Sequence, residues 1–127
     1  MLGASALVAF VATTDLARAA GFYEKALGLR RLDASPMAVV FDAGGTALRV
    51  TLVDELAPAP YTVLGWSVDD IATTVGGLTE AGVGFERFPG MVQDELGIWG
   101  APGGDRVAWF RDPDGNVLSL TEPASAP

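Results

Sequence analysis

Thr14-Asp15-Leu16-Ala17, leading to Gly21-Phe22-Tyr23-Glu24-Lys25-Ala26-Leu27-Gly28-Leu29, decides the fold, because the chain repeats it. Asp70 lies 55 residues after Asp15, and there Asp70-Ile71-Ala72 leads in the same order to Gly76, Ala81 and Gly82-Val83. Leu27 is one residue extra in the first copy. Self-similarity at a fixed spacing marks a duplicated supersecondary unit. In each copy an apolar strand, Ala6–Ala12 or Val63–Val68, precedes a helix cap at Thr14/Asp15 or Asp69/Asp70. About three helical turns follow, and Gly28 or Gly82 suits the left-handed position that closes a helix. Leu16, Ala20, Tyr23 and Leu27 fall at i, i+4, i+7 and i+11, a stripe that one helix face can bury.

Outward from the helices lie short strands punctuated by turns. In the first half they are Leu29–Asp33, Ala38–Asp42 and Ala47–Val53, with Gly44-Gly45 as a hairpin turn. In the second they are Gly84–Arg87, a less regular Met91–Trp99, Arg106–Arg111 and Val117–Glu122, with turns at Gly103-Gly104 and Asp114-Gly115. The order is βαβββ twice, an α+β arrangement. One domain is expected over residues 1–127, with module one at about 5–57, a proline-bearing link at Leu56–Pro60, and module two at about 61–122. Pro123–Pro127 reads as a frayed tail.

Composition bounds the partners. Half of the 127 residues are apolar and 19% are charged, as in a compact globular domain. Sixteen acids against eight bases give a net charge of −8, which disfavours nucleic acid and anionic membranes, since both need clustered cations. Cysteine is absent, so disulfides and thiol catalysis are excluded and a cytoplasmic setting is accommodated. The apolar start, Met1 to Ala12, has no preceding Lys or Arg and ends in a helix-start signal, so it reads as a buried first strand rather than a leader. No apolar run approaches the ~20 residues of a membrane span.

The quoted motif, together with Phe41-Asp42, Gly44-Gly45, Trp66-Ser67-Val68-Asp69-Asp70 and Trp109-Phe110-Arg111-Asp112-Pro113-Asp114-Gly115-Asn116, resembles the glyoxalase/bleomycin-resistance/dioxygenase (vicinal oxygen chelate) superfamily over roughly residues 5–122. The resemblance implies two βαβββ modules forming an open curved sheet with a ligand cleft, and it favours a homodimer. Asp-Pro-Asp-Gly has its own physical role, since Pro113 pre-sets φ and Gly115 accepts positive φ in a tight turn.

Metal-bearing members of that family carry ligands at positions that correspond here to Val8, Val63 and Ser119, with a further one near Arg49, Val50 or Thr51. The chain has no histidine at all. Valine donates no electron pair and a lone serine hydroxyl anchors a transition ion poorly, so no metal and no cofactor is expected. Glu122 is no substitute, because its odd offset from Ser119 sends it to the opposite strand face.

Strand parity then gives the expected cleft lining: Val8 and Phe10; Val63, Gly65 and Ser67; Val107 and Trp109; and Val117, Ser119 and Thr121, with Trp99 between glycines beside them. Leu64, Trp66, Phe110, Leu118 and Leu120 take the opposite face as core. If Leu48, Val50 and Leu52 pack under the helix, Arg49 and Thr51 face the cleft, where Arg49 can grip an anionic or carbonyl group. No catalytic residue is assigned. Asp94, Glu95, Asp105 and Arg106 are the nearby groups open to acid–base work, and nothing in the sequence tunes them. Three readings follow. The first is a metal-independent protein that binds an apolar or aromatic small molecule, as in antibiotic or natural-product sequestration. The second is a metal-independent lyase, isomerase or cyclase acting on a natural product. The third is a non-catalytic pseudo-enzyme or regulatory domain.

Overall fold

A computed structural model describes residues 1–125, so the last two positions of the expected tail lie outside the described residues. Two compact units divide the chain at Ala57/Pro58. Each holds an open four-stranded sheet and one helix, an α+β arrangement built twice.

In the first unit β1 (Val8–Thr13) runs parallel to β4 (Thr46–Leu52), and β3 (Ala38–Ala43) and β2 (Arg30–Ala34) follow antiparallel, giving the order β1-β4-β3-β2. A parallel pair needs a crossover, and α1 (Leu16–Gly21) supplies it. Asp15 caps α1 by accepting from the Arg18 amide at 3.1 Å. Leu48, Val50 and Phe41 are fully buried on the sheet face that receives the helix, and the Tyr23 ring lies 6.2 Å from that of Phe41. The helix continues without a break into a π-helical turn, Phe22–Ala26, closed by the Leu27 amide donating to the Phe22 carbonyl at 3.1 Å. That wide turn absorbs the extra residue Leu27, so that Tyr23 stays buried and Gly28, at φ 73°, still closes the helix.

The second unit repeats the order as β5-β8-β7-β6, from β5 (Thr62–Ser67), β6 (Trp99–Gly100), β7 (Arg106–Arg111) and β8 (Val117–Glu122). Its helix, α2 (Ile71–Glu80), is regular and buries Ile71 and Val75. Phe110, Leu118 and Leu120 fill the core as parity required. Asp70 caps α2, and the hydrogen bonds it accepts from the Thr73 amide and hydroxyl hold its carboxyl below the usual range. Glu122 accepts from the Ile71 amide at 3.0 Å, so it ties β8 to the helix start and faces away from Ser119. The Asp112 carboxylate accepts from the amides of Asp114 and Asn116 and from the Asn116 side chain, which makes the Asp-Pro-Asp-Gly element a structural turn.

Four expectations change. β1 is not buried: it is an edge strand with Val8 46% and Phe10 61% exposed, because only its Val11 and Thr13 side faces the helix layer. Gly84–Arg87 forms no strand, only a bridge between Phe85 and Phe110. Met91–Trp99 reduces to a bridge from Gln93 to Trp99, because the Gln93 side chain takes over the backbone partners: its amide donates to the Glu86 and Gly97 carbonyls and its oxygen accepts from the Phe88 amide. The tail is held at Ala124, whose amide donates to Asp105 at 2.7 Å.

Candidate functional site

On the first sheet, alternation leaves one face to α1 and the other uncovered. Phe10 pairs with Arg49 and Ala12 with Thr51 across β1 and β4, so these side chains share the uncovered face. With Val11 and Val53 they line a cavity of about 400 Å³, within the range of small-molecule sites. Parity from Phe10 also points to Ala12, which sequence reasoning passed over. Val8 pairs with Ala47 at the start of β1 and lies outside this lining.

Two polar groups in that apolar wall stand out. The Thr51 hydroxyl is buried and has no hydrogen-bond partner. Arg49, half-buried, makes no ion pair or side-chain hydrogen bond among the described residues. The other arginines are engaged: Arg30 with Asp42 at 3.3 Å, Arg31 with Glu24 at 2.9 Å, Arg106 with Glu122 at 3.8 Å, Arg111 with Glu86 at 2.6 Å, and Arg87 with the Asp94 carbonyl at 2.7 Å. Arg18 also has a partner. Asp42 sits on the Arg49 face one row away, but Arg30 and the Gly45 amide occupy it.

A groove of about 430 Å³ between α1 and the β2–β3 edge is as large. Its polar groups satisfy one another or the backbone. Arg31 holds Glu24, and the Ser35 hydroxyl accepts from the Met37 and Ala38 amides. It therefore asks less of a ligand than the cavity at Arg49.

In the second unit Ser119 pairs with both Gly65 and Trp109, and Val107 with Trp99, so these five share one face. The Trp99 and Trp109 rings lie 6.0 Å apart, and Phe88, at the head of an irregular loop, meets Trp109 edge-on at 5.4 Å. Ser119 is 8% exposed and its hydroxyl bonds to no described residue. A Cβ on Gly65 would meet that oxygen at 2.7 Å, so the glycine makes its room. Val63 is exposed at the irregular start of β5.

The donor set does not fit a divalent transition ion: Val8 and Val63 offer no lone pair and Ser119 only a hydroxyl. Among the described residues no three His, Cys, Asp or Glu side chains gather to hold a metal. Of the groups considered for acid–base work, Glu95 makes no side-chain contact among the described residues and the other three are taken up locally. Asp94 accepts from the Leu96 and Ile98 amides, Asp105 from Ala124, and Arg106 faces Glu122.

Sheet order, duplicated module and caps define a vicinal-oxygen-chelate architecture. The chain matches the model of the Glyoxalase/Bleomycin resistance protein/Dioxygenase superfamily over residues 6–120, and it belongs to that family. A member of that superfamily from Sphaerobacter thermophilus DSM 20745 is 29% identical, with a TM-score of 0.72 over 97% of this chain and 100% of that one. TioX from Micromonospora sp. ML1 is 22% identical, with a TM-score of 0.71 over 93% and 98%. Lactoylglutathione lyase from Agrobacterium tumefaciens is 20% identical, with a TM-score of 0.69 over 94% and 93%. At those two lower identities the likeness shows the fold alone. No curated protein matches. Among the described residues no helix is long and apolar enough to cross a membrane.

Proposed function

We propose that this protein binds a small apolar or aromatic molecule without a metal, on the sheet face that the helix of its first module leaves uncovered. The observation that carries this is the cavity of about 400 Å³ walled by Phe10, Val11, Ala12 and Val53. A ring lying against Phe10 would remove apolar surface from water on both partners, worth ~25 cal/mol for each Å². The Trp99–Trp109 pair, with Val107, Ser119 and Gly65, offers a second aromatic face, in module two. Arg49 and Thr51 supply the orienting polar contacts such pockets need. Sequestration follows from this chemistry more directly than catalysis, since no carboxylate lines the cavity.

The test is an NMR titration with 2-naphthamide and 2-naphthoate, followed by mass spectrometry of the recovered ligand. Binding of either compound, with shifts at Phe10 and Thr51, weakening on Phe10→Ala, and unchanged ligand support the proposal. Absence of binding by both at millimolar concentration overturns it. We also infer a homodimer, on the strength of the family and of the exposed apolar residues on β1.

A further inference from the structure

We propose that the ligand of the first-module cavity is an organic anion, an aromatic carboxylate, whose head group is held by Arg49 and Thr51. This rests on the binding function proposed above and names the ligand's chemical class. A guanidinium in an apolar wall carries a desolvation cost unless an anion meets it. This chain has sixteen acidic side chains, yet none lies within ion-pair distance of Arg49 among the described residues, while five other arginines each hold a carboxylate or a carbonyl. The fold even keeps Asp42 away, fastened to Arg30 and the Gly45 amide.

Two residues along β4, on the same face, the buried Thr51 hydroxyl also lacks a partner. A hydroxyl can donate to one carboxylate oxygen while the planar guanidinium fork takes the other or both. Phe10, the cross-strand neighbour of Arg49, is 61% exposed and offers its ring to the ligand's apolar body. A cationic ligand would meet Arg49 with like charge. A wholly apolar one would leave Arg49 and Thr51 unpaired in a drier cavity than before, which costs affinity.

2-Naphthoate and 2-naphthamide have the same shape and differ in charge, so their affinities separate this inference from the function it rests on. Isothermal titration should show naphthoate binding the wild type at least roughly tenfold more tightly, the scale of one charged hydrogen bond. Arg49→Gln should reduce the preference to about one by weakening naphthoate binding far more than naphthamide binding. Thr51→Val should reduce it by a smaller factor, and Phe10→Ala should weaken both compounds alike. The Arg49→Gln spectrum checks folding, and Thr51→Val keeps the guanidinium, so each variant tests the pair independently. Equal affinities in the wild type would overturn the anion assignment and leave the binding function standing. Failure of both compounds to bind would overturn both.

Discussion

Thr13 and Thr51 carry the same side chain in adjacent rows of one sheet, in opposite circumstances. Thr13, fully buried, exchanges hydrogen bonds with the backbone of Asp15, donating to its carbonyl and accepting from its amide, each at 3.1 Å. The Thr51 hydroxyl is buried with nothing to bond. An unpaired buried hydroxyl costs about 1–3 kcal/mol, so Thr51→Val should raise the unfolding free energy of the ligand-free protein by about 1 kcal/mol. Thr13→Val should lower it by about the same amount. Urea midpoints at an unchanged m-value report both changes. A Thr51→Val protein no more stable than wild type would show that the hydroxyl is already satisfied, and with it half of the anion site would go. The sequence disclosed part of this site. Period-two alternation put Arg49 and Thr51 on the face opposite Leu48 and Val50, which are indeed fully buried. It did not disclose that both lack partners, because that depends on Arg30 engaging Asp42 from another strand.

At the scale of elements, legibility followed local chemistry. Both helix starts were readable because an aspartate side chain satisfies free amides of the first turn, and both helix ends because glycine takes positive φ. The extra Leu27 was visible as a count, but its accommodation as a π-helical turn depended on keeping Tyr23 against Phe41. The expected strand at Met91–Trp99 failed because the Gln93 side chain, within it, claims the Glu86 and Gly97 carbonyls and the Phe88 amide. β1 misled most, since its apolar run reads as core while the sheet order makes it an edge. One rim of β1 pairs with β4, and in its own sheet the other is unpaired. Edge strands with exposed apolar residues tend to acquire a partner. The proposed homodimer should sediment at twice 13.1 kDa at tens of micromolar protein, and a species of 13.1 kDa there would overturn it.

For the whole molecule, charge is divided unevenly between the two units. Met1–Ala57 carries five bases against six acids, net −1, and the remainder three bases against ten acids, net −7, which together make the chain's −8. The proposed anion site therefore lies in the unit whose charge nearly cancels. At about 0.01 M salt the screening length is about 30 Å, so an approaching carboxylate feels the full negative charge of the protein. At about 0.15 M it is about 8 Å, so most of that net charge is screened, while Arg49 at the cavity wall still acts at contact range. The association rate of 2-naphthoate should accordingly rise with salt over this range, the reverse of what a basic protein gives. Its dissociation rate should change little, because a half-buried contact is poorly screened. Stopped-flow mixing reads both constants. An association rate that falls with salt would mean that attraction toward Arg49 prevails at long range, and the net charge of −8 would then have no part in admitting the ligand.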